Sequence, residues 1–387
     1  MGRRGWIVGI FLIVVSMGFV STVLAGGAAR FEISPVHGAS AILIEPTTGQ
    51  VLYEQNADLP RSPASIAKIM LELIVLERVQ EGTLHLDDSI HVSGWASKIG
   101  GSQAYLAEGE VFALEDLMKA ITIASANDAC VAVAEYIAGS PEGFVDLMNQ
   151  KARELGLANT RYTNVHGLDD DPVDVNLTTA RDIATIARHL ITMPHVLEWS
   201  SLVEAPFRDG NFTLRNTNKL LGHFPGIDGL KTGYTRRAGF CLCATAERNG
   251  LRLVSVVMGA DSERHRFSES ARLLGAGFAQ LRREVLAEAG KPCGAPLRVE
   301  NGSPREVLAQ PAAPLFVTML RGEERPSVRL VPRFALRAPI AVGDTVGTYE
   351  VVAPNGYVIE MPAVASRRIR KANLFERFAG LLKPNKD

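Results

Sequence analysis

The sequence predicts an α+β fold, and three observations predict it. Apolar segments flank the turn Thr47-Thr48-Gly49-Gln50, which is typical of a β-hairpin. Helix-like apolar spacing then recurs between residues 65 and 200. Strand-like segments return from Phe212, and strands, then helices, then strands is an α+β order.

Size and charge narrow the possible functions. The chain has 387 residues, 47% of them hydrophobic, so it can bury a large core and is expected to hold several domains. The formal net charge of −1 conceals an acidic body and a basic C-terminal end, residues 366–387. An acidic body is a poor binder of nucleic acid, whereas a short basic segment suits an anionic membrane surface.

The N-terminus is typical of an export signal. Two arginines precede an uncharged apolar run to Val20, and Val23-Leu24-Ala25 supplies the small residues of a cleavage site. We therefore predict a signal peptide at residues 1–25. The uncharged stretch continues to Ala29 and is also long enough for an uncleaved membrane anchor. In either case the rest of the chain is expected outside the cytoplasm.

Cysteines and histidines form no recognisable site. Cys241 and Cys243 stand two apart in a predicted strand, Cys130 lies in a predicted helix, and Cys293 is isolated. This spacing matches no disulfide framework or zinc site, and the eight histidines show no paired ligand spacing. We expect buried free thiols, no metal and no cofactor.

The first chemical motif opens a predicted helix. Ser62 is a suitable N-cap and Pro63 a suitable first residue for a helix that runs to about Gln80. Ser65 then lies in the first turn. Its N–H has no partner inside the helix there and is a candidate donor to an oxyanion.

Lys68 lies three residues after Ser65, on the same face of the predicted helix. A serine hydroxyl becomes a good nucleophile when a base takes its proton, and a buried lysine with a lowered pKa can be that base. Ser65 and Lys68 are therefore a candidate nucleophile and base. A capped core helix with a lysine near its start has the same pattern, so the motif needs support from its context.

Two further short motifs follow in the chain. Ser125-Ala126-Asn127 interrupts a helical stretch between residues 114 and 138, where Ser and Asn favour a cap or loop and face away from the core. Alone, it could be only an interhelix turn. Lys231-Thr232-Gly233 lies in a predicted strand, where glycine leaves room for close approach. The acidic run at residues 169–171 matches no calcium loop and is interpreted as a solvated turn.

The C-terminal third changes character. A helix is predicted from Glu263 to about Arg282, closing a unit of residues 31–289. Residues 297–364 alternate or run apolar without helical spacing and predict a small all-β domain. In residues 366–387 the large apolar side chains fall on one helical face beside a basic cluster, which predicts an amphipathic helix in a membrane interface. A helix docked on its own protein is the alternative.

Taken together and in this order, Ser65-Ile-Ala-Lys68, Ser125-Ala-Asn127 and Lys231-Thr232-Gly233 form the motif set of class A β-lactamases and penicillin-binding proteins. From about Phe31 to Asp387, the chain resembles the low-molecular-weight penicillin-binding proteins that are serine-type D-alanyl-D-alanine carboxypeptidases. The resemblance implies a penicillin-recognising, β-lactamase-like sheet with helical clusters. It also implies removal of the terminal D-alanine from peptidoglycan stem pentapeptides, covalent inhibition by β-lactams, and a peripheral location on the periplasmic face of the inner membrane.

The resemblance also assigns roles to the matched positions. Ser65 would attack the D-Ala-D-Ala carbonyl with Lys68 as base, and Ser125 would relay the proton toward the leaving amine. Asn127 would hold the substrate amide. The N–H groups of Ser65 and Tyr234 would form the oxyanion hole. Four further residues would bind substrate: Lys231, Thr232, Gly233 and Arg266.

Two positions differ from the family pattern or extend it. The family has histidine after Lys-Thr-Gly, where this chain has Tyr234. Only the backbone N–H is needed there, so we expect the mechanism to be retained with a different pH dependence and β-lactam release. Arg266 resembles an arginine near the substrate carboxylate, and a structural ion pair with Glu269 is the alternative.

Three other functions fit parts of the pattern. Class A β-lactamases use a loop glutamate followed four residues later by asparagine, and no glutamate between Ser125 and Lys231 has that neighbour. Slow β-lactam hydrolysis is therefore expected. A D,D-endopeptidase acting on cross-links would use the same residues. A non-catalytic penicillin-binding scaffold is the non-enzyme alternative, and the complete motif set argues against it.

Overall fold

The computed structural model describes residues 31–169, 171, 173–353, 356, 358–373 and 376. The predicted signal peptide lies outside the described residues, and so does the predicted amphipathic segment beyond residue 373, apart from Glu376. No helix in the described ranges is both long enough and apolar enough to cross a lipid bilayer.

Up to residue 280 the described chain begins with a strand pair, continues mainly as helices, returns to strands and ends with a long helix. The helices are α1 Lys68–Gln80, α2 Leu114–Ala124, α3 Asn127–Ala138, α4 Pro141–Glu154, α5 Ala180–Leu190, α6 Val196–Ser200 and α7 Glu263–Gln280. The strands of this part are β1 Ser40–Glu45, β2 Gln50–Gln55, β3 Ser89–His91, β4 Val111–Ala113, β5 Glu204–Phe207, β6 Phe212–Arg215, β7 Ile227–Thr235, β8 Gly239–Arg248 and β9 Leu251–Ala260.

A five-stranded antiparallel sheet forms the centre, in the order β2-β1-β9-β8-β7. Successive residues of β1 enter different cores, because side chains alternate along a strand. Ile42 and Ile44 pack in the core that contains α1, whereas Ala41 and Leu43 pack with α7. Helices therefore cover both faces of the sheet, and the predicted α+β fold is confirmed.

The first motif helix starts differently from the prediction. Ser62 is not an N-cap: its hydroxyl donates to Asp169 Oδ1 at 2.7 Å. Residues Ala64–Ala67 form a 3₁₀ turn, and the α-helix begins only at Lys68. The sequence pattern was insufficient here because the carboxylate that takes the Ser62 hydroxyl is 107 residues away.

The predicted helix after Glu263 ends at Gln280, and the next residues, Leu281–Ala287, form strand β10. This strand pairs with Leu315–Leu320, strand β15, in the C-terminal part of the chain. The unit predicted to end at residue 289 therefore shares its last strand with the following domain. A leucine- and valine-bearing segment after a helix gives no sign of where its strand partner lies.

From residue 281 to 371 the described chain contains strands and no helix. A four-stranded antiparallel sheet, a two-stranded sheet with β10 and two short strand pairs surround a separate apolar core. These strands are β11 Leu297–Arg298, β12 Gly302–Ser303, β13 Glu306–Val307, β14 Ala309–Pro311, β15 Leu315–Leu320, β16 Val328–Pro332, β17 Thr345–Val352, β18 Val358–Ala365 and β19 Arg370–Lys371.

The start of the predicted amphipathic segment belongs to this β-domain. Strand β19 pairs with β12, and Ile369 just before it is fully buried. Asn373 N–H donates to Glu376 Oε2, and Glu376 N–H donates to Asn373 Oδ1, each at 2.9 Å. These reciprocal bonds have the arrangement of a capping box, which marks a helix start.

Candidate active site

The Lys68 amine meets the Ser65 hydroxyl at the beginning of α1. Lys68 Nζ lies 2.9 Å from Ser65 Oγ and donates a 2.8 Å hydrogen bond to the carbonyl of His166. The Lys68 side chain is 0% exposed, and this burial lowers its pKa to about 8. A lysine with this pKa can accept a proton near neutral pH, so the pair has the geometry and charge of a nucleophile and its base.

Two glycines hold the backbone around Ser65. A Cβ on Gly167, whose φ is +89°, would stand 2.0 Å from the Ala64 carbonyl oxygen. A Cβ on Gly233 would stand 2.8 Å from the Pro63 carbonyl oxygen and 3.0 Å from Ser65 N. In the described chain, the Ser65 N–H meets no hydrogen-bond acceptor. The predicted strand motif therefore lies directly against the candidate nucleophile Ser65, beside a backbone N–H without a partner in the described chain.

The second motif lies between α2 and α3, as predicted. Ser125 ends α2 in the left-handed conformation, with φ 62° and ψ 30°. Its side chain is buried, and among the described residues its hydroxyl makes no hydrogen bond to Ser65 or Lys68. Asp128, early in α3, contributes to the electrostatic environment of Lys68, so this motif and the first one share a neighbourhood.

Asn127 does not cap α3 with its side chain. Its Nδ2 donates to the Gly100 carbonyl at 2.7 Å, and its backbone N–H donates to the Ser102 carbonyl at 2.7 Å. Its Oδ1 is buried and has no hydrogen-bond partner in the part of the chain that the structure describes. A buried acceptor without a partner is costly, so this oxygen is suited to receive an N–H from a ligand.

Asp128 holds the neighbouring loop. Its carboxylate oxygens accept the backbone N–H groups of Ala104 and Leu106, each at 3.0 Å, and of Ala129 at 2.9 Å. Together with the bonds of Asn127, these contacts fix the loop of residues 100–106 against the start of α3. The loop is thereby a preorganised wall beside the second motif.

Lys231 and Thr232 lie on β7, the edge strand of the central sheet. The Lys231 side chain is 1% exposed and its Nζ donates to the Thr232 carbonyl at 3.1 Å. Burial and the nearby Lys68 lower the pKa of Lys231. Thr232 Oγ1 donates to Thr217 Oγ1 at 2.6 Å. An edge strand keeps one row of backbone groups outside the sheet, where an extended peptide can pair.

Arg266 reaches this strand from the first turn of α7. Its Nη1 donates to the Gly233 carbonyl at 3.2 Å and its Nη2 to Glu263 Oε1 at 3.1 Å. The ion pair with Glu269 that the sequence left open does not form, because Glu269 binds Arg272 instead, at 2.6 Å. Arg266 Nε is buried without a partner among the described residues.

Tyr234 follows Gly233 on the same strand. Its ring is 54% exposed and stacks on Phe240 with ring centroids 4.2 Å apart. The Tyr234 side chain therefore lies on the strand surface and not beside the buried amines of Lys68 and Lys231.

Sequence reasoning missed two residues that shape the site. Asp169, interpreted as part of a solvated turn, accepts hydrogen bonds from both Ser62 and Thr235. It thus joins the segment before Ser65 to the end of β7. His166 contributes its carbonyl to Lys68. Burial, with a smaller contribution from Lys68, lowers the pKa of His166 to about 3, so its ring stays neutral. The Ser62–Asp169 and Lys68–His166 bonds each join residues about 100 positions apart, and the sequence pattern gives no signal for them.

The described residues contain no group of three or more His, Cys, Asp or Glu side chains that could hold a metal ion. The four cysteines are free thiols, three of them buried. The candidate site consists of hydroxyls, two buried amines, amide groups and a guanidinium, which is suited to acyl transfer by covalent catalysis.

Comparison with known proteins agrees with this chemistry. Residues 28–262 match the family model described as D-alanyl-D-alanine carboxypeptidase. The chain is 35% identical over 338 residues to D-alanyl-D-alanine carboxypeptidase DacF of Bacillus subtilis, which covers 86% of each chain.

Solved structures give the same result for the fold. The chain is similar to penicillin-binding protein 5 of Haemophilus influenzae, with a TM-score of 0.74 and 30% identity, covering 88% of this chain and 100% of that one. It is also similar to penicillin-binding protein D2 of Listeria monocytogenes in an ampicillin-bound form. That likeness has a TM-score of 0.59 and 32% identity, and covers 64% of this chain and 100% of the other.

Proposed function

The chain belongs to the D-alanyl-D-alanine carboxypeptidase family of serine peptidases, and on that premise we propose that it trims peptidoglycan stem peptides through an acyl-enzyme on Ser65. The observation that carries this proposal is the 2.9 Å approach of the buried Lys68 Nζ to Ser65 Oγ. Gly233, packed against the same serine, supports a substrate strand lying alongside β7.

Acylation begins when Ser65 Oγ attacks the carbonyl carbon of the penultimate D-alanine and its proton passes to Lys68 Nζ. The amine must be unprotonated to take this proton. With a pKa of about 8, roughly a tenth of the molecules carry the free amine at pH 7. The hydrogen bond to the His166 carbonyl holds one N–H of that amine and aims its lone pair at the hydroxyl.

The tetrahedral intermediate places a negative charge on the former carbonyl oxygen. The N–H groups of Ser65 and Tyr234 are proposed to receive it. The free Ser65 N–H and the close approach of Gly233 to it support this arrangement. In acyl-transfer enzymes, one such donor contributes about 3 to 4 kcal/mol of transition-state stabilisation.

Collapse of the intermediate breaks the peptide C–N bond and releases D-alanine. Its amine takes a proton, which Ser125 is proposed to relay from Lys68. Water then hydrolyses the ester on Ser65 and restores the hydroxyl. The unpartnered Oδ1 of Asn127 is proposed to accept the substrate amide N–H during these steps.

Recognition of the terminal carboxylate is proposed for the opposite wall. Lys231 supplies positive charge from the buried side, and Thr232 supplies a hydroxyl. Arg266 adds a guanidinium with an unpartnered buried N–H and also braces the Gly233 carbonyl. A free carboxylate would distinguish a peptide terminus from an internal bond.

Location is proposed from the two ends of the chain. The export signal at residues 1–25 would deliver the enzyme to the periplasm. The basic amphipathic segment would hold it peripherally on the membrane surface. The capping bonds between Asn373 and Glu376 support a helix beginning where the β-domain ends.

A labelled penicillin tests the nucleophile, because β-lactams mimic the D-Ala-D-Ala bond and the ampicillin-bound relative supports their use here. The wild type should form a covalent adduct that S65A lacks. Absence of labelling in folded wild type would favour a silent scaffold. D-alanine release from a pentapeptide, measured beside cleavage of a cross-linked dimer, separates carboxypeptidase from endopeptidase action.

A further inference from the structure

A buried carboxylate lies beneath the proposed site and has no role in the steps above. Glu72 lies one turn after Lys68 on α1, so the two side chains share a helix face. Glu72 is 2% exposed, and its Oε1 meets no hydrogen-bond partner among the described residues. It is also the one acid in the apolar run of residues 69–76. A buried carboxylate oxygen without a partner is costly, so the position of Glu72 needs a reason.

Lys231 lies on β7, the strand that packs against the 3₁₀ turn leading into this helix. It stands directly opposite Cys243 in the β7–β8 ladder, and Cys243 belongs to the same core as the apolar residues of α1. Because paired residues face the same side of a sheet, the Lys231 side chain also points toward α1. The charge of Glu72 acts on Lys231, on Lys68 and on the Cys243 thiol.

The other groups facing these side chains do not replace Glu72. The groups that act on Lys231 are Lys68, Glu72, Cys130 and Arg266. The groups around Glu72 are Lys231, Thr122, Lys68, Cys130 and Cys243. Burial raises the pKa of Cys130 to about 12, so that thiol is neutral. Asp128 faces Lys68, but its oxygens already hold three backbone N–H groups. Glu72 is therefore the carboxylate available to balance Lys231.

We propose that Glu72 is a positioning residue that acts through Lys231: its carboxylate is the counter-charge that keeps the Lys231 ammonium protonated for the substrate carboxylate. Two buried ammonium groups repel each other in a site of low dielectric constant. The carboxylate stabilises both ammonium groups, and Lys231 more than Lys68, so that a single proton shared by the two amines stays preferentially on Lys231. One lysine is thus kept charged for binding and the other is kept ready as a base.

The electrostatics of the three groups agree with this division. Burial raises the pKa of Glu72 to about 7, opposed first by Lys231, then by Thr122 and then by Lys68. Lys231 is thus the stronger of the two ammonium partners of Glu72. Removing the Glu72 charge lowers the pKa of Lys231 further, so the ammonium is lost at a lower pH than in the wild type.

The test compares KM and kcat of wild type and E72Q between pH 6 and 9, on an acyl-D-Ala-D-Ala peptide and on its C-terminal amide. For the acid peptide, KM of E72Q should rise by roughly tenfold at pH 8, the effect of about one unit in the pKa of Lys231. The increase should shrink toward pH 6, and kcat and the amide substrate should change much less.

Three variants complete the experiment. E72D keeps the charge and should restore most of the wild-type pH dependence, even if packing suffers. E77Q makes the same charge change on the same helix, at a partly exposed residue paired with Lys151, and should leave KM unchanged. If kcat/KM of E72Q falls by the same factor at every pH and for both substrates, Glu72 is merely structural and the proposal is overturned.

This proposal rests on the proposed function, and the two fail differently. If the wild type releases no D-alanine and forms no penicillin adduct, the proposed function fails. If the wild type is active and the KM of E72Q follows the wild-type pH profile, only the role of Glu72 fails.

Discussion

Gly233 lies so close to Ser65 that a methyl group on Gly233 would stand 3.0 Å from the Ser65 nitrogen and 2.8 Å from the Pro63 carbonyl oxygen. Neither neighbour can move freely, because both are backbone atoms. The strand that is proposed to bind substrate and the turn that carries the proposed nucleophile are therefore set at a fixed spacing. A side chain as small as alanine would change that spacing.

G233A should consequently lose activity while remaining folded. A displacement of about 1 Å at a reacting group can cost on the order of 100-fold in rate. We expect a loss of that size in the rate of labelled-penicillin adduct formation. Gly275 is the control, since a Cβ there meets no atom within 4 Å. Equal labelling rates in G233A and G275A would contradict the fixed spacing.

Acylation should accelerate as pH rises toward 8. Burial lowers the pKa of Lys68 to about 8, and below that pH the protonated amine cannot accept the Ser65 proton. We expect the adduct rate to fall about tenfold per pH unit below the pKa and to level off above it. Stopped-time labelling from pH 6 to 9 measures this. A pH profile with its midpoint near pH 6.5 would indicate that a histidine is the base. His166 is not that histidine, because its pKa is lowered to about 3.

D169N should loosen the contact between the nucleophile segment and β7. Asp169 accepts hydrogen bonds from Ser62 and Thr235, and hydrogen bonds to a charged group contribute more than neutral ones. The free energy of unfolding in urea should fall by about 1 to 3 kcal/mol. D171N is the matched control, because exposed Asp171 binds only N–H groups of its own turn. If D169N loses no more unfolding free energy than D171N, the two hydrogen bonds of Asp169 do not hold these segments together.

R266Q should impair selection for a free carboxylate. The guanidinium donates to the Gly233 carbonyl and retains an unpartnered buried N–H. We expect kcat/KM to fall roughly tenfold or more for an acid-terminated peptide, and less for the corresponding amide. R272Q is the control, since Arg272 lies on the same helix but binds Glu269. Equal losses on the two substrates would limit Arg266 to bracing the strand.

The place of truncation decides whether a tail-free protein remains stable. Ile369 is fully buried and Arg370–Lys371 pairs with Gly302–Ser303, so truncation after Ala365 removes part of the β-domain. Truncation after Asn373 should release an active soluble protein from membranes. Truncation after Ala365 should lower stability by at least about 2 kcal/mol. Membrane pelleting measures the release, and thermal unfolding measures the loss of stability. If the longer truncated form stays in the pellet, the N-terminal segment is the anchor.

Local patterns predicted what depends on nearby residues. Ser65 and Lys68 are three residues apart, and helical spacing alone brings them to one face. The break at Ser125 followed from the tendency of short polar side chains to leave a helix. The strand bearing Lys231 followed from its composition and turns.

What sequence patterns could not supply were the partners that tertiary folding brings together. The pattern around Asp169 predicts a solvated turn, and only the folded structure brings Ser62 and Thr235 to its carboxylate. A backbone carbonyl such as that of His166 has no sequence signature. Glu72 did leave a signal, a single acid in an apolar helix, and it is the buried lysines that give this acid a chemical purpose.

Helix α7 continues into β10 at residue 281 with no loop between them. The backbone N–H and the guanidinium of Arg321 bind the carbonyls of Gln280 and Ala279 at that junction. The same helix carries Arg266 at its other end, against the carbonyl of Gly233. Helix α7 thus joins the candidate site directly to the β-domain. With the membrane attachment proposed above, the orientation of the candidate site would be set by this rigid connection and not by a flexible linker.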